Sequence, residues 1–175
     1  MGNLVFITGG VRSGKSRFAV ELAMKTGGRV LFVATCVPGD DEMRARVAAH
    51  RKARPAEWTT VEECADVGAA IAGTAGRFDT VVVDCLTLFV SGLLAAGESD
   101  GSITGKVDKI AAAAAASPAR VVVVSNEVGS GVVPVSGLGR RFRDVAGAAN
   151  QALARAAQEA YLMVSGLAVP LKGRA

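Results

Sequence analysis

The sequence predicts an α/β protein with a doubly wound, mainly parallel sheet, helices on both faces and a C-terminal hairpin. Short runs of apolar residues alternate with helical patterns, which is typical of strands buried on both faces of a parallel sheet. The first run leads directly into a glycine-rich turn and a helix, an order typical of nucleotide-binding α/β domains. The predicted buried strands span residues 4–7, 30–34, 80–84 and 121–124.

The glycine-rich turn has the spacing G-x-x-x-x-G-K-S of a phosphate-binding loop. Its glycines let backbone N–H groups point into one concavity, and the helix that follows adds the positive end of its dipole. Lys15 is predicted to act in catalysis along the β- and γ-phosphates, and the Ser16 hydroxyl to bind Mg²⁺. The sequence therefore predicts a P-loop NTPase type of domain, whose nucleotide-binding loop is Gly9-Gly10-Val11-Arg12-Ser13-Gly14-Lys15-Ser16.

Length and composition indicate a single catalytic domain over residues 1–175. No apolar run reaches the roughly 18 residues of a membrane span, and no signal-peptide pattern is present, so we expect a cytoplasmic location. The net charge is +4, but aromatic residues make up only 5% of the chain, so nucleic acid is not an expected partner. The cysteines lack disulfide or zinc-site spacing and are predicted to be buried thiols: Cys36, Cys64 and Cys85.

The other elements follow from periodicity and from the residues that end helices. Helices are predicted from about 17 to 26, and over 40–54, 86–94, 107–116 and about 138–160. A further predicted helix follows Glu62-Glu63 and runs through Ala72. A short strand is predicted at 58–61, and a hairpin at 161–164 and 167–171. Residues 97–105 and 128–139 are predicted loops, the second long enough to be functional.

Acidic residues follow two of the predicted strands. Asp84 ends a run of β-branched residues, as a Walker B carboxylate does, so we predict that it is catalytic and contacts Mg²⁺ or the nucleotide. Glu127 follows the strand at 121–124. Asp84 and Glu127 are both candidates for the general base of a kinase reaction.

His50 is the only histidine in the chain. One interpretation is a half-buried surface residue on a helix. The other is a nucleophile, because neutral imidazole is abundant near pH 7 and can attack phosphorus to form a phosphoramidate. Arg46, Arg51 and Arg54 lie nearby in sequence and would neutralise phosphate oxygens. The residues alone leave both interpretations open.

A second basic cluster lies at the start of the last predicted helix. Arg140, Arg141 and Arg143 form either a solvated helix face or a phosphate clamp. Arginine favours the clamp because its guanidinium binds phosphate in a bidentate manner. These alternatives also remain open.

Together these residues resemble the bifunctional adenosylcobinamide kinase / adenosylcobinamide-phosphate guanylyltransferase family of cobalamin biosynthesis. The resemblance runs from Thr8 to Lys172. Beyond the phosphate loop, its most particular segments are Asp41-Glu42-Met43 with Arg46 and His50-Arg51, Val83-Asp84-Cys85-Leu86-Thr87-Leu88, Ser125-Asn126-Glu127-Val128-Gly129, and Arg140 with Phe142-Arg143-Asp144.

The resemblance implies two reactions. A kinase step would move the γ-phosphoryl group of ATP or GTP to the aminopropanol hydroxyl of adenosylcobinamide. A guanylyltransferase step would place GMP on His50, release pyrophosphate and pass GMP to the cobinamide phosphate. A homo-oligomer, with the trimer as its known form, is also implied. So are nucleotide contacts by Thr35, Arg51, Glu62 and Asp84, and a substrate or phosphate clamp of Arg46, Arg54, Glu127, Arg140 and Arg143.

Two other functions are compatible with the phosphate loop. One is a kinase for a nucleoside or another small alcohol, with His50 incidental; it would form no protein-bound GMP. The other is a GTP-dependent switch, although the sequence lacks the Asn-Lys-x-Asp motif that reads guanine. Slow hydrolysis without transfer to a small acceptor would favour the switch.

Overall fold

The computed structural model describes residues 3–35, 41–52, 54–74 and 76–173. The strands are β1 (Asn3–Gly9), β2 (Val30–Ala34), β3 (Thr59–Glu62), β4 (Thr80–Asp84), β5 (Arg120–Val124), β6 (Glu159–Val164) and β7 (Leu167–Lys172). The helices are α1 (Lys15–Thr26), α2 (Asp41–Lys52), α3 (Val67–Ala72), α4 (Leu86–Ala95), α5 (Asp100–Ala116) and α6 (Gly137–Ala156).

The strands form one seven-stranded sheet in the order β3-β2-β4-β5-β1-β6-β7. Its pairings are parallel except for the antiparallel pair β6–β7. The predicted doubly wound, mainly parallel sheet with a C-terminal hairpin is therefore confirmed. β5 lies between β1, which leads into the phosphate loop, and β4, which ends at Asp84.

The continuous apolar runs of the strands are explained by burial on both faces of the sheet. Alternate residues of β1 belong to different clusters: Leu4 and Phe6 pack on one face, and Val5 and Ile7 on the other. The first cluster includes residues of α3, α4, α5 and α6, whereas α1 covers the second face through Ala19 and Ala23. Helices thus pack on both faces, as predicted.

The start of α5 differs from the prediction. Residues 97–105 were expected to form a loop, yet α5 begins at Asp100. Ser99 caps this helix, since its side chain accepts a hydrogen bond of 3.2 Å from the Ser102 N–H. Ile103 and Val107 are buried one turn apart, so the apolar face of the helix extends well before the predicted start at 107.

Smaller differences concern element ends and cysteines. α6 ends at Ala156 rather than near 160 because β6 begins at Glu159 and pairs with β1. The helix predicted to follow Glu62-Glu63 is α3, which begins at Val67 after the Asp66 cap and ends at Ala72 as predicted. Cys85 is buried as predicted, Cys64 is only half-buried, and Cys36 lies outside the described residues.

No helix in the described ranges is long and apolar enough to cross a membrane.

We expect Ser99→Ala to lower the free energy of unfolding by about 1 kcal/mol, because the α5 N-terminus loses its cap. Ser99→Asp keeps a side-chain acceptor and serves as the matched control. Urea denaturation measures both variants. If the alanine variant is as stable as the wild type, the assigned start of α5 is wrong.

Candidate active site

The phosphate loop joins β1 to α1 and packs directly against β6. Gly9 (φ 151°) and Gly14 (φ 94°) have positive φ angles that glycine adopts most readily. A Cβ atom on Gly9 would lie 2.5 Å from the carbonyl oxygen of Met163 in β6. The Gly166 N–H, in the turn between β6 and β7, donates to the Ser13 carbonyl at 3.0 Å. The terminal hairpin therefore supports the loop from one side.

Lys15 is the first residue of α1, and its side chain folds back into the loop. It is 8% exposed, and its Nζ donates to the Gly10 carbonyl oxygen at 2.6 Å and lies 3.5 Å from Ser13 Oγ. Burial lowers the pKa of Lys15, and the nearby Asp84 carboxylate opposes this effect. A phosphate bound in the loop would favour the charged ammonium in the same way.

A cavity of about 490 Å³ lies beside the loop. Each loop residue from Val11 to Ser16 contributes to its wall, whereas Gly9 and Gly10 do not line it. The other predicted site residues on the wall are Arg54, Glu62 and Asp84. The cavity thus gathers side chains that are distant in the sequence around the predicted phosphate site.

Thr35 supports Asp84 instead of lining the cavity. Its hydroxyl donates to the Cys85 carbonyl at 2.7 Å and accepts from the Cys85 N–H at 2.8 Å. Thr35 is 2% exposed, and its own N–H donates to the Asp84 carbonyl at 3.3 Å. These bonds fasten the end of β2 to the end of β4. The predicted contact of Thr35 with nucleotide would require its hydroxyl to exchange these partners.

Arg54 is held on the cavity wall by an aromatic ring and a hydroxyl. Its guanidinium carbon lies 3.6 Å from the centroid of the Phe32 ring, and its Nη1 donates to Thr60 Oγ1 at 3.4 Å. Burial lowers the pKa of Arg54, while Asp84 opposes this effect. The positive charge is therefore fixed beside the cavity. Arg51 is exposed and does not line the wall.

α2 borders the same cavity. Val47 of α2 contributes to the wall, and His50 follows three residues later in the same helix, which is neighbour spacing along a helix face. The side chains of His50 and Arg46 lie outside the described residues. The structure therefore places the backbone of the predicted nucleophile within one turn of the cavity wall.

The predicted clamp residues near α6 contact a loop. Glu127 Oε1 accepts from the Gly129 N–H at 2.6 Å, and Arg143 Nη2 donates to the Gly129 carbonyl at 3.0 Å. Arg140 Nη1 donates to the carbonyls of Pro134 and Val135 at 3.1 and 2.7 Å. None of Glu127, Arg140 and Arg143 lines the described cavity. Their arrangement fastens segment 129–135 to α6, and a clamp role would require these contacts to change.

Arg141 takes a different partner from its neighbours. Its Nε lies 2.7 Å from Asp100 Oδ1, and its Nη2 donates to the Glu98 carbonyl at 2.7 Å. It therefore ties α6 to the start of α5.

Asn126 lines the cavity but was not among the predicted site residues. It comes two residues after β5, the strand between the phosphate-loop strand and the strand of Asp84. A polar residue after a buried strand was visible in the sequence. The order of the strands, which brings it to the site, was not.

We expect Gly9→Ala to lower the free energy of unfolding by about 1–3 kcal/mol, because the new Cβ would overlap the Met163 carbonyl oxygen. Gly10→Ala is the matched control, since a Cβ there meets no atom within 4 Å. Denaturant unfolding without nucleotide compares the two variants. Equal stability would contradict the close packing of the loop on β6.

Comparison with known proteins identifies the family. A family model described as cobinamide kinase / cobinamide phosphate guanyltransferase matches residues 5–171. The bifunctional adenosylcobalamin biosynthesis protein CobU of Escherichia coli (strain K12) is 41% identical over 181 aligned positions, which cover 97% of this chain and 99% of the relative. CobU of Salmonella typhimurium has the same identity and coverage. The bifunctional adenosylcobalamin biosynthesis protein CobP of Pseudomonas aeruginosa is 41% identical over 167 positions, covering 95% of this chain and 96% of that one.

A solved structure supports the fold independently. A KaiC-like protein from Pyrococcus horikoshii OT3 superposes with a TM-score of 0.52 at 15% identity, covering 92% of this chain and 70% of that chain. This likeness concerns the fold alone. The sequence comparisons identify the family, and the chain belongs to the cobinamide kinase / cobinamide phosphate guanyltransferase family.

Proposed function

We propose that one domain, residues 1–175, catalyses both reactions of its family in the cavity beside the phosphate loop. It phosphorylates adenosylcobinamide with ATP or GTP and then transfers GMP from GTP to adenosylcobinamide phosphate, giving adenosylcobinamide-GDP and pyrophosphate. The observation that carries this proposal is that the phosphate loop, Asp84 and α2 border one cavity. This arrangement supports the proposal, because groups suited to both transfers would then act on a nucleotide bound in the same cavity.

In the kinase step, the acceptor hydroxyl oxygen forms a bond to the γ-phosphorus. The bond from this phosphorus to the β–γ bridging oxygen breaks, and the hydroxyl proton passes to a base. Amides of the phosphate loop and the Lys15 ammonium would stabilise the charge on the phosphates. The two candidates for this base differ in position, because Asp84 lines the cavity, whereas Glu127 does not and instead accepts a hydrogen bond from the Gly129 N–H.

Mg²⁺ is the metal that the site would bind. Ser16 and Asp84 both line the cavity, and hydroxyl and carboxylate oxygens are ligands that Mg²⁺ accepts together with phosphate oxygens. When bound, Mg²⁺ neutralises phosphate charge. Ser16 and Asp84 would hold it.

In the guanylyltransferase step, we propose His50 as the nucleophile. A ring nitrogen of neutral His50 forms a bond to the α-phosphorus of GTP, pyrophosphate leaves, and the ring loses its other proton to solvent. A phosphate oxygen of the acceptor then forms a bond to this phosphorus, the bond from the phosphorus to the imidazole nitrogen breaks, and the ring takes a proton back from solvent, which restores neutral His50. The positive charges of Lys15 and Arg54 on the cavity wall would help to bind the phosphate groups in both steps of this transfer.

We also propose a homo-oligomer, with a trimer as the expected size, and a cytoplasmic location. Apolar side chains stand exposed on two surfaces that a second copy would cover. Val132 and Val135 in the segment before α6 are 94% and 100% exposed, and Leu167 of β7 is 71% exposed. The buried thiol of Cys85 fits a reducing compartment.

We expect wild-type protein to gain one GMP after incubation with GTP and Mg²⁺, as an acid-labile adduct measured by intact mass. His50→Ala should show no adduct, because the nucleophile is gone, yet still phosphorylate adenosylcobinamide. Lys52→Ala, an exposed neighbour in α2, is the matched control and should form the adduct. An adduct that persists in His50→Ala would overturn the nucleophile assignment. Phosphorylation without any wild-type adduct would support a kinase alone.

A further inference from the structure

Asn126 follows β5, which lies between β1, the strand that leads into the phosphate loop, and β4, the strand that ends at Asp84. Val124 of β5 is in register with Ile7 of β1 on one side and with Asp84 of β4 on the other. Beyond Val124, the Glu127 N–H donates to the Gly9 carbonyl at 3.0 Å. The segment that carries Asn126 therefore runs along the start of the phosphate loop, with Asp84 on its other side.

The backbone of Asn126 is held by a closed ring of hydrogen bonds. Its N–H donates to Thr87 Oγ1 at 2.6 Å, and its carbonyl accepts from Asn150 Nδ2 at 3.0 Å. Ser125 Oγ donates to Asn150 Oδ1 at 2.6 Å and lies 3.1 Å from Thr87 Oγ1. Because the Ser125 proton is used on Asn150, Thr87 must donate to Ser125.

The ring is directional and buried. Each member donates one hydrogen bond to the next. Asn126 donates to Thr87, Thr87 to Ser125, and Ser125 to Asn150, which donates back to the Asn126 carbonyl. Thr87 is 5% and Ser125 1% exposed, so breaking one bond leaves a buried polar group unpaired. Asn150 belongs to α6, which makes this helix a support of the site.

The side chain of Asn126 takes no part in this ring, and Asn126 is one of the residues that line the cavity. Its Nδ2 lies 3.9 Å from the sulfur of Cys85, a weak acceptor. Burial raises the pKa of Cys85 to about 12, so the sulfur carries no charge near neutral pH. The backbone of this residue on the cavity wall is thus held in place, while the acceptor found for its side-chain Nδ2 within the described ranges is only this weak one.

We propose that the Asn126 side-chain amide donates a hydrogen bond to the terminal phosphoryl group of a bound nucleoside triphosphate, and that Asn150 positions it through the ring. This inference rests on the proposed function of the same cavity. Lys15 lies along the β- and γ-phosphates in loops of this kind, and the acid that ends the strand beyond lies near the metal. The strand of Asn126 runs between the strands that supply these two groups, where the terminal phosphoryl group would lie.

Asn126→Ala tests the contact without breaking the ring, which uses only the backbone of Asn126. Calorimetry measures binding of the β,γ-imido analogues of GTP and ATP and of GDP and ADP. The affinity for the triphosphate analogues should fall about 10- to 100-fold, as for a lost hydrogen bond to a charged group. The affinity for the diphosphates should stay within about twofold. Asn126→Asp keeps the size but replaces the donor by a carboxylate, and should lose more.

The ratio of triphosphate to diphosphate affinity is the deciding quantity. Partial unfolding would lower both affinities by the same factor, so only a lost contact with the terminal phosphoryl group moves the ratio. An unchanged ratio in Asn126→Ala and Asn126→Asp would overturn the proposal. Turnover of adenosylcobinamide by the wild type is measured in parallel. If the affinity ratio shifts in the variants but the wild type does not turn over adenosylcobinamide, the proposed function is overturned while the contact of Asn126 with the terminal phosphoryl group is not.

The positioning role of Asn150 has its own test. Asn150→Asp keeps the acceptor for Ser125 but loses the donor to the Asn126 carbonyl, and should lower the same affinity ratio by a smaller factor. Combined with Asn126→Ala, it should lower the ratio no further. Gln151→Ala, an exposed neighbour in α6, is the control and should leave the ratio unchanged. The positioning role would be overturned if Asn150→Asp left the affinity ratio unchanged. It would also be overturned if the effects of the two substitutions on the ratio added in the double variant.

Discussion

The parallel pairing of β5 with both β1 and β4 is the constraint on which the site depends. Carboxyl ends of adjacent parallel strands meet at one edge of a sheet, so this pairing brings the phosphate loop, Asn126 and Asp84 together. The three strands are buried on both faces, and burying each valine contributes about 1.5–3 kcal/mol. A slip of one residue would exchange the faces of a whole strand. The packing of the apolar core around these strands therefore determines where the phosphate loop, Asn126 and Asp84 lie.

Hydrogen bonds to the backbone then orient individual side chains at this edge. Lys15 binds the Gly10 carbonyl, Thr35 binds both polar atoms of the Cys85 backbone, and Asn150 binds the Asn126 carbonyl. Leaving such a buried group unpaired costs about 1–3 kcal/mol. These side chains are thus already held in place, and a phosphate bound in the loop would replace the Gly10 carbonyl as the partner of Lys15.

The sequence was most informative where a local pattern determines the structure. The phosphate loop and Asp84 follow from spacing and strand pattern alone. Asn126 and the support role of Thr35 depend on which strands are neighbours, which no local pattern records. The loop prediction is wrong for residues 100–105 because Gly101 and Gly105 suggest a loop, yet both face open space and Ser99 caps the helix. The charges of Arg140 and Arg143 did not reveal that backbone carbonyls are their partners.

The central claim is that one phosphate site serves both transfers, and Lys15→Ala tests it most directly. Both activities are measured on one preparation: formation of the GMP adduct from GTP and phosphorylation of adenosylcobinamide. Lys25→Ala, in the exposed last turn of α1, is the control and should keep both. We predict that Lys15→Ala lowers both by about 100-fold or more, because each transfer loses the same charge beside the phosphates. Retention of either activity at the wild-type rate would show that the two reactions use separate sites.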